Sequence, residues 1–130
     1  MRECVRITGL AAANGNQPVG AVIALDGEII GRGEEATSSK GDITCHAEIE
    51  AIRQAVATLK TADLSNCTLY STHEPCIMCA YVIRFYRVNR VVFKKRSQYL
   101  GGLSSTMPLL TSPDVPPHWG KPPVVNEYKI

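Results

Sequence analysis

The 130-residue chain has no stretch approaching the roughly 20 consecutive apolar residues of a transmembrane helix, although 45% of it is hydrophobic. Its opening, Met1-Arg2-Glu3-Cys4, lacks the apolar run of a signal peptide, so a cytoplasmic protein is the expectation. It has no internal repeat and no room for a second domain, which predicts one domain over residues 1–130 with a real core. A disulfide framework is also missing. The five cysteines are odd in number, Cys76 and Cys79 stand at C-x-x-C spacing, and Cys4, Cys45 and Cys67 are scattered. The scattered three read as small buried hydrophobes. A formal net charge of +2 is too small to imply a polyanion partner by itself. Arg84, Arg87, Arg90, Lys94, Lys95 and Arg96 do concentrate positive charge, a pattern that reads first as a solvated face.

Val5, Ile7, Leu10 and Ala11 recur at helical spacing over residues 3–13, and Asn14-Gly15-Asn16 ends that element. Residues 19–25 and 28–32 flank Asp26-Gly27, a two-residue hairpin signal, before a polar loop over 34–42. Ile49, Ile52, Val56 and Leu59 share one face of a helix over 47–60. A strand over 68–72 leads to Pro75, suited to a first helical position, and to a helix over 76–86. Strands over 90–93 and 124–125 and one helical turn over 107–110 complete the reading. From about residue 104, Pro108, Pro113, Pro116, Pro117, Pro122 and Pro123 forbid long regular elements, and the segment reads as a wrap. Helices on both faces of a sheet follow from this order, with any metal site at strand-to-helix junctions.

Two fragments stand at such junctions: His46-Ala47-Glu48 and Pro75-Cys76-Ile77-Met78-Cys79. A His and two thiolates fill three corners of a tetrahedral zinc site and leave the fourth to water, the open pattern of a catalytic zinc. Cys76 and Cys79, three apart on one helical turn, face the same side, and the helix N-terminus favours thiolate there. Glu48 stands beside the group as a proton carrier. H-x-E followed by P-C-x-x-C is the signature of zinc deaminases acting on nucleobases. The expected reaction is attack of zinc hydroxide on an amino-bearing ring carbon with release of ammonia.

These motifs resemble the cytidine and deoxycytidylate deaminase superfamily, in the branch of tRNA adenosine deaminases, guanine deaminases and fungal-type cytosine deaminases. The resemblance also includes Pro18 to Ile23, Ile30 to Gly33, the helix after His46, and Arg90 to Phe93. It implies a three-layer α/β/α sandwich around a mixed sheet of about five strands. It further implies one Zn2+ per chain on His46, Cys76 and Cys79, Glu48 as proton shuttle, the Cys76 backbone N–H steadying the reacting oxygen, and a homodimer.

Substrate is carried by other residues. The position where this branch usually has a base-reading Asn holds Glu35; a carboxylate accepts but does not donate, which favours a ring edge presenting N–H or NH2 groups. The alternative is a loop Glu facing solvent. His73 either binds substrate or packs against the site. Trp119, after His118, either closes over the pocket and stacks on a base or packs at a surface or dimer contact. Glu74 has a sufficient structural role in the helix dipole. The Asn14 to Val19 loop could touch substrate, though turn formation accounts for it. A free nucleobase or related heterocycle is placed ahead of tRNA adenosine, because the chain lacks the charged C-terminal helix of tRNA-editing relatives. A non-catalytic zinc-stabilised binding protein comes last, since it leaves an open coordination position without purpose.

Overall fold

In the computed structural model, which describes residues 1–129, Asp26 and Gly27 both take positive φ, 52° and 81°. That is the backbone a tight two-residue hairpin requires. The turn joins β1 (Gly20–Leu25) to β2 (Glu28–Glu34). Before them runs α1 (Arg2–Ala13); after them come α2 (Thr37–Lys40), α3 (Ala47–Leu59), β3 (Thr68–His73), α4 (Ile77–Phe85), β4 (Arg90–Lys95), a 3-10 turn at Pro117–Trp119, and β5 (Val124–Glu127). The strands form one sheet in the order β2-β1-β3-β4-β5. β1 is antiparallel to both β2 and β3, whereas β3, β4 and β5 are parallel. This is the mixed five-stranded α/β fold expected.

Alternation along β1 separates the layers. Val22 joins Cys4 and Ile7 of α1 in a small cluster on one face, and Ala21 and Ile23 join Ala51, Ile52, Ile83 and Val91 in the larger core on the other. α3 and α4 cover that second face. The three scattered cysteines are buried, as expected, and burial pushes the Cys4 thiol up to about 11.

Small residues set how closely α3 approaches the sheet. A Cβ on Gly33 would strike the Ala47 carbonyl, and one on Gly31 would strike the Ala51 carbonyl. Ala47, Ala51 and Ala55 present the facing side and are fully buried. Glycine against alanine lets the backbones meet.

Several elements differ from the sequence reading. The polar loop over 34–42 contains α2, one turn closed by Gly41 in the left-handed region. α4 starts at Ile77, with Cys76 as its N-cap. Residues 107–110 form a turn closed by Thr111 N–H donating to Pro108 O at 3.1 Å. Arg84 is no part of a solvated basic face: it is 1% exposed, and its Nη1 donates to Leu109 O at 2.7 Å and Ser112 O at 2.9 Å. The wrap crosses α4 there with carbonyls that need donors, and a guanidinium on a long stem supplies them. Arg87 and Arg96 pair with Asp63 and Glu127.

Gly33→Ala is expected to destabilise the protein by about 1–3 kcal/mol through overpacking of β2 against α3. Urea denaturation checks this, and an unchanged midpoint would contradict the close contact.

Candidate functional site

Both sequence motifs arrive at helix starts. His46 caps α3 in extended conformation, φ −66° and ψ 151°, without using its side chain as a cap. Cys76 caps α4 in the same way, φ −73° and ψ 175°. Cys76 is also held by an antiparallel bridge to Gly101, whose bonds run from Ile77 N–H to Leu100 O and from Gly102 N–H to Pro75 O. The Cys76 N–H takes no part in that bridge. Two helix N-termini thus converge on one point, and their partial positive charge favours anionic sulfur and carboxylate.

The ligand atoms of His46, Cys76 and Cys79 all lie within 4.8 Å of one another. His46 Nδ1 stands 3.6 Å from Cys76 Sγ and 3.4 Å from Cys79 Sγ. Zn–S bonds of about 2.3 Å and Zn–N bonds of about 2.1 Å at a tetrahedral centre put nitrogen and sulfur about 3.6 Å apart. The group therefore fits one zinc through Nδ1 and two sulfurs. Its acid–base state fits too. A hydrogen bond shared with Cys79, and then His46, lower the Cys76 thiol to about 4. The same bond, with burial, holds Cys79 protonated. Two sulfurs sharing one proton are a site that a cation completes.

Glu48, on the first turn of α3, is 4% exposed. Burial pushes its carboxyl up to about 7, with the Cys76 charge adding to the effect. A cavity of about 360 Å3 opens over these groups, lined by Glu35, His46, Glu48, His73 and Cys76 together with Gln17 and Val19. Burial, and then Lys95, lower the His73 imidazole, favouring its neutral form; its Nδ1 lies 3.0 Å from Thr72 Oγ1.

Glu74 also reaches this wall, with a role other than the helix dipole expected of it. Its carboxylate accepts from the N–H groups of Ser97 at 3.2 Å, Leu103 at 2.9 Å and Ser104 at 2.8 Å, and from the Ser104 hydroxyl at 2.7 Å. Burial acts to raise its pKa, but these donors, Ser104 foremost, hold it below the ordinary value. Glu74 pins the loop that bridges to Cys76.

Trp119 is not brought to the cavity. It is 5% exposed and packs edge-on against Tyr81 at 4.8 Å and Phe85 at 5.9 Å on α4. Glu35 and His73 do line the cavity. Sequence reasoning missed Thr37, Ser38 and Ser97 in its wall. The only sequence signal for the first two was the Thr-Ser-Ser run that forms α2.

A mixed sheet with a His/Cys/Cys group at two helix starts defines a zinc-binding α/β deaminase fold. Residues 1–95 match the cytidine and deoxycytidylate deaminase zinc-binding region, and the chain belongs to that family. It is 40% identical over 127 residues to a tRNA(Ile)-lysidine synthase of Deinococcus radiodurans, covering 97% of this chain but only 21% of that protein. It is 37% identical over 113 residues to a tRNA-specific adenosine deaminase of Aquifex aeolicus, covering 87% of this chain and 75% of the relative. A structure from studies of A-to-I editing by tRNA:A34 deaminases at the wobble position of transfer RNA superimposes with a TM-score of 0.89 at 32% identity, over 98% of this chain and 95% of the other. A guanine deaminase from Bacillus subtilis gives 0.70 at 35% identity, over 73% and 61%. Among the described residues no helix is long and apolar enough to cross a membrane.

The raised Glu48 carboxyl has a consequence for the zinc-free protein. A folded pKa of about 7 against 4.5 stabilises the fold fully below about pH 4.5, and that contribution is lost as pH rises through 7. Zinc-free wild type should therefore lose stability relative to zinc-free Glu48→Gln across this window, by about 3 kcal/mol. Urea midpoints at several pH values test this, and parallel profiles would contradict it.

Proposed function

We propose that this chain is a hydrolytic deaminase of an amino-bearing nucleobase ring, with one zinc held by His46 Nδ1, Cys76 Sγ and Cys79 Sγ. The observation that carries it is a buried Glu48 carboxyl, its proton affinity raised by burial, beside a metal group of tetrahedral dimensions. Zinc, when bound, supplies Lewis-acid activation of water near neutral pH. Glu48 accepts a proton from the attacking water and delivers it to the departing amine. The water oxygen bonds to the ring carbon, the bond from carbon to the amino nitrogen breaks, and ammonia leaves. An amidine unit, C(NH2)=N, thereby becomes C(=O)–NH. The Cys76 N–H, at the start of α4, steadies the oxygen as charge develops on it.

Two substrate readings are supported by different observations. Adenosine in tRNA draws on the relatives: the Aquifex protein carries that activity in its name, and the tRNA:A34 deaminase structure superimposes over nearly the whole of both chains. The comparisons favour this reading over the free nucleobase expected from sequence. A free heterocycle draws on Glu35 in the cavity wall and on the guanine deaminase likeness. A homodimer belongs to the proposal as well, supported by Tyr81 and Phe85 on α4, each about half exposed.

Glu48→Gln should keep its zinc and lose turnover by about 10²–10⁴-fold. Zinc content measured alongside ammonia release checks it, and retained turnover would overturn the role given to Glu48. Ammonia from a pool of free bases, against inosine formed in tRNA, separates the two substrate readings.

A further inference from the structure

Glu35 follows directly on β2, and its backbone N–H donates to Val19 O at 3.1 Å, so its place beside the start of β1 is set by the sheet. Its side chain is 8% exposed and lines the cavity with His46, Glu48 and His73. One carboxylate oxygen, Oε2, accepts from the Thr37 hydroxyl at 3.0 Å. The other, Oε1, is buried and has no hydrogen-bond partner among the described residues. Thr37 belongs to α2, whose cap at Gly41 fixes the short helix in place, so one half of the carboxylate is anchored while the other half lacks a donor.

A buried acceptor without a donor is a standing cost that folds rarely leave unmet. The side chain that carries it lines a cavity sized for a small ring. A carboxylate accepts and does not donate, so what completes it from an amino-bearing ring is an N–H. The amino group that leaves belongs at Glu48 and the His/Cys/Cys group; a donor at Glu35 has to be a second one. The adenine ring within a polynucleotide carries no such donor, because its ring nitrogens only accept and its one amino group is the group that departs. Guanine, isocytosine and diamino rings each keep a ring N–H or a second NH2.

We propose that Glu35 is the specificity-determining residue of this site, and that it selects amino-heterocycles carrying a second N–H or NH2 donor besides the amino group that is lost. This rests on the deaminase reading above and narrows its substrate class to free rings of the guanine, isocytosine or diaminopurine kind.

The test is kcat/KM of the zinc-loaded protein on pairs of rings that differ by one donor, 9-methyl-2,6-diaminopurine against 9-methyladenine and isocytosine against 2-aminopyrimidine, with an anticodon stem-loop as a further substrate. Wild type is expected to prefer the donor-bearing member of each pair by at least about 10²-fold, since a site with a buried polar group rejects an analogue that leaves it unpaired. Glu35→Gln, which keeps the shape but replaces one acceptor oxygen by a donor, should shrink that preference to below about tenfold with zinc content unchanged. Glu35→Asn should do the same should the longer amide disturb α2. An unchanged preference in both variants, or faster deamination of the stem-loop adenosine than of any donor-bearing ring, overturns the proposal while leaving the deaminase reading intact. Absence of ammonia or inosine from every substrate overturns both.

Discussion

The contact between α3 and β2 is the constraint on which the site depends. Gly31 and Gly33 leave no side chain between the strand and the helix backbone, and Ala47, Ala51 and Ala55 fill the facing side with methyl groups alone. α3 is thereby pressed onto the sheet along its length, and its first turn carries Glu48 out of solvent. Burial then sets the proton affinity of that carboxyl. The same strand ends at Glu34, so the contact that buries Glu48 also delivers Glu35 to the cavity. One packing decision in small residues positions both the buried Glu48 carboxyl and Glu35 at the cavity.

Charge explains why these groups converge. Cys76, its thiol lowered to about 4, shares one small cavity with the Glu48 and Glu35 side chains, and negative charge gathered there repels itself unless positive charge enters. The start of α3 and the start of α4 supply part of it through their helix dipoles, and a divalent cation, when bound, would supply the rest. Glu74 stands apart from this balance because four donors satisfy it. It acts as a clamp on the loop over 97–104, and that loop bridges back to Cys76 through Gly101. The proline-rich wrap is held on the far side of α4 by Arg84 and Trp119, away from the cavity.

Much of this was legible in the sequence where spacing alone determines structure. The Asp26-Gly27 hairpin and the amphipathic helix after His46 are local patterns, and the His/Cys/Cys group, though its two fragments lie 30 residues apart, was legible from the donor types and spacing within each fragment. What was hidden depended on distant partners. Nothing local to Arg84 says that carbonyls of Leu109 and Ser112 cross above it, so it read as one more exposed cation. Glu74 read as a helix-start acid, because its four donors lie 23 to 30 residues downstream. Trp119 could have met the cavity or α4 equally well until the path of the wrap was known. The boundary of α4 shifted by one residue because Cys76 takes the extended backbone of a cap; a spacing argument does not distinguish a cap from a first helical residue. Glu35 was placed by its distance from the glycines of β2, and the structure adds what no pattern carries, an oxygen left without a donor.

In the proposed reading the metal group and Glu48 exchange an amino group for oxygen, and the cavity wall selects the ring. The central claim is that a single zinc at His46, Cys76 and Cys79 is required for that exchange. Stepwise return of zinc to the metal-free protein, with ammonia release from pooled amino-heterocycles and tRNA followed at each step, tests it most directly. Activity should rise in proportion to added zinc and break sharply at one ion per chain. Full turnover in the metal-free protein, or no ammonia at saturating zinc, would contradict it.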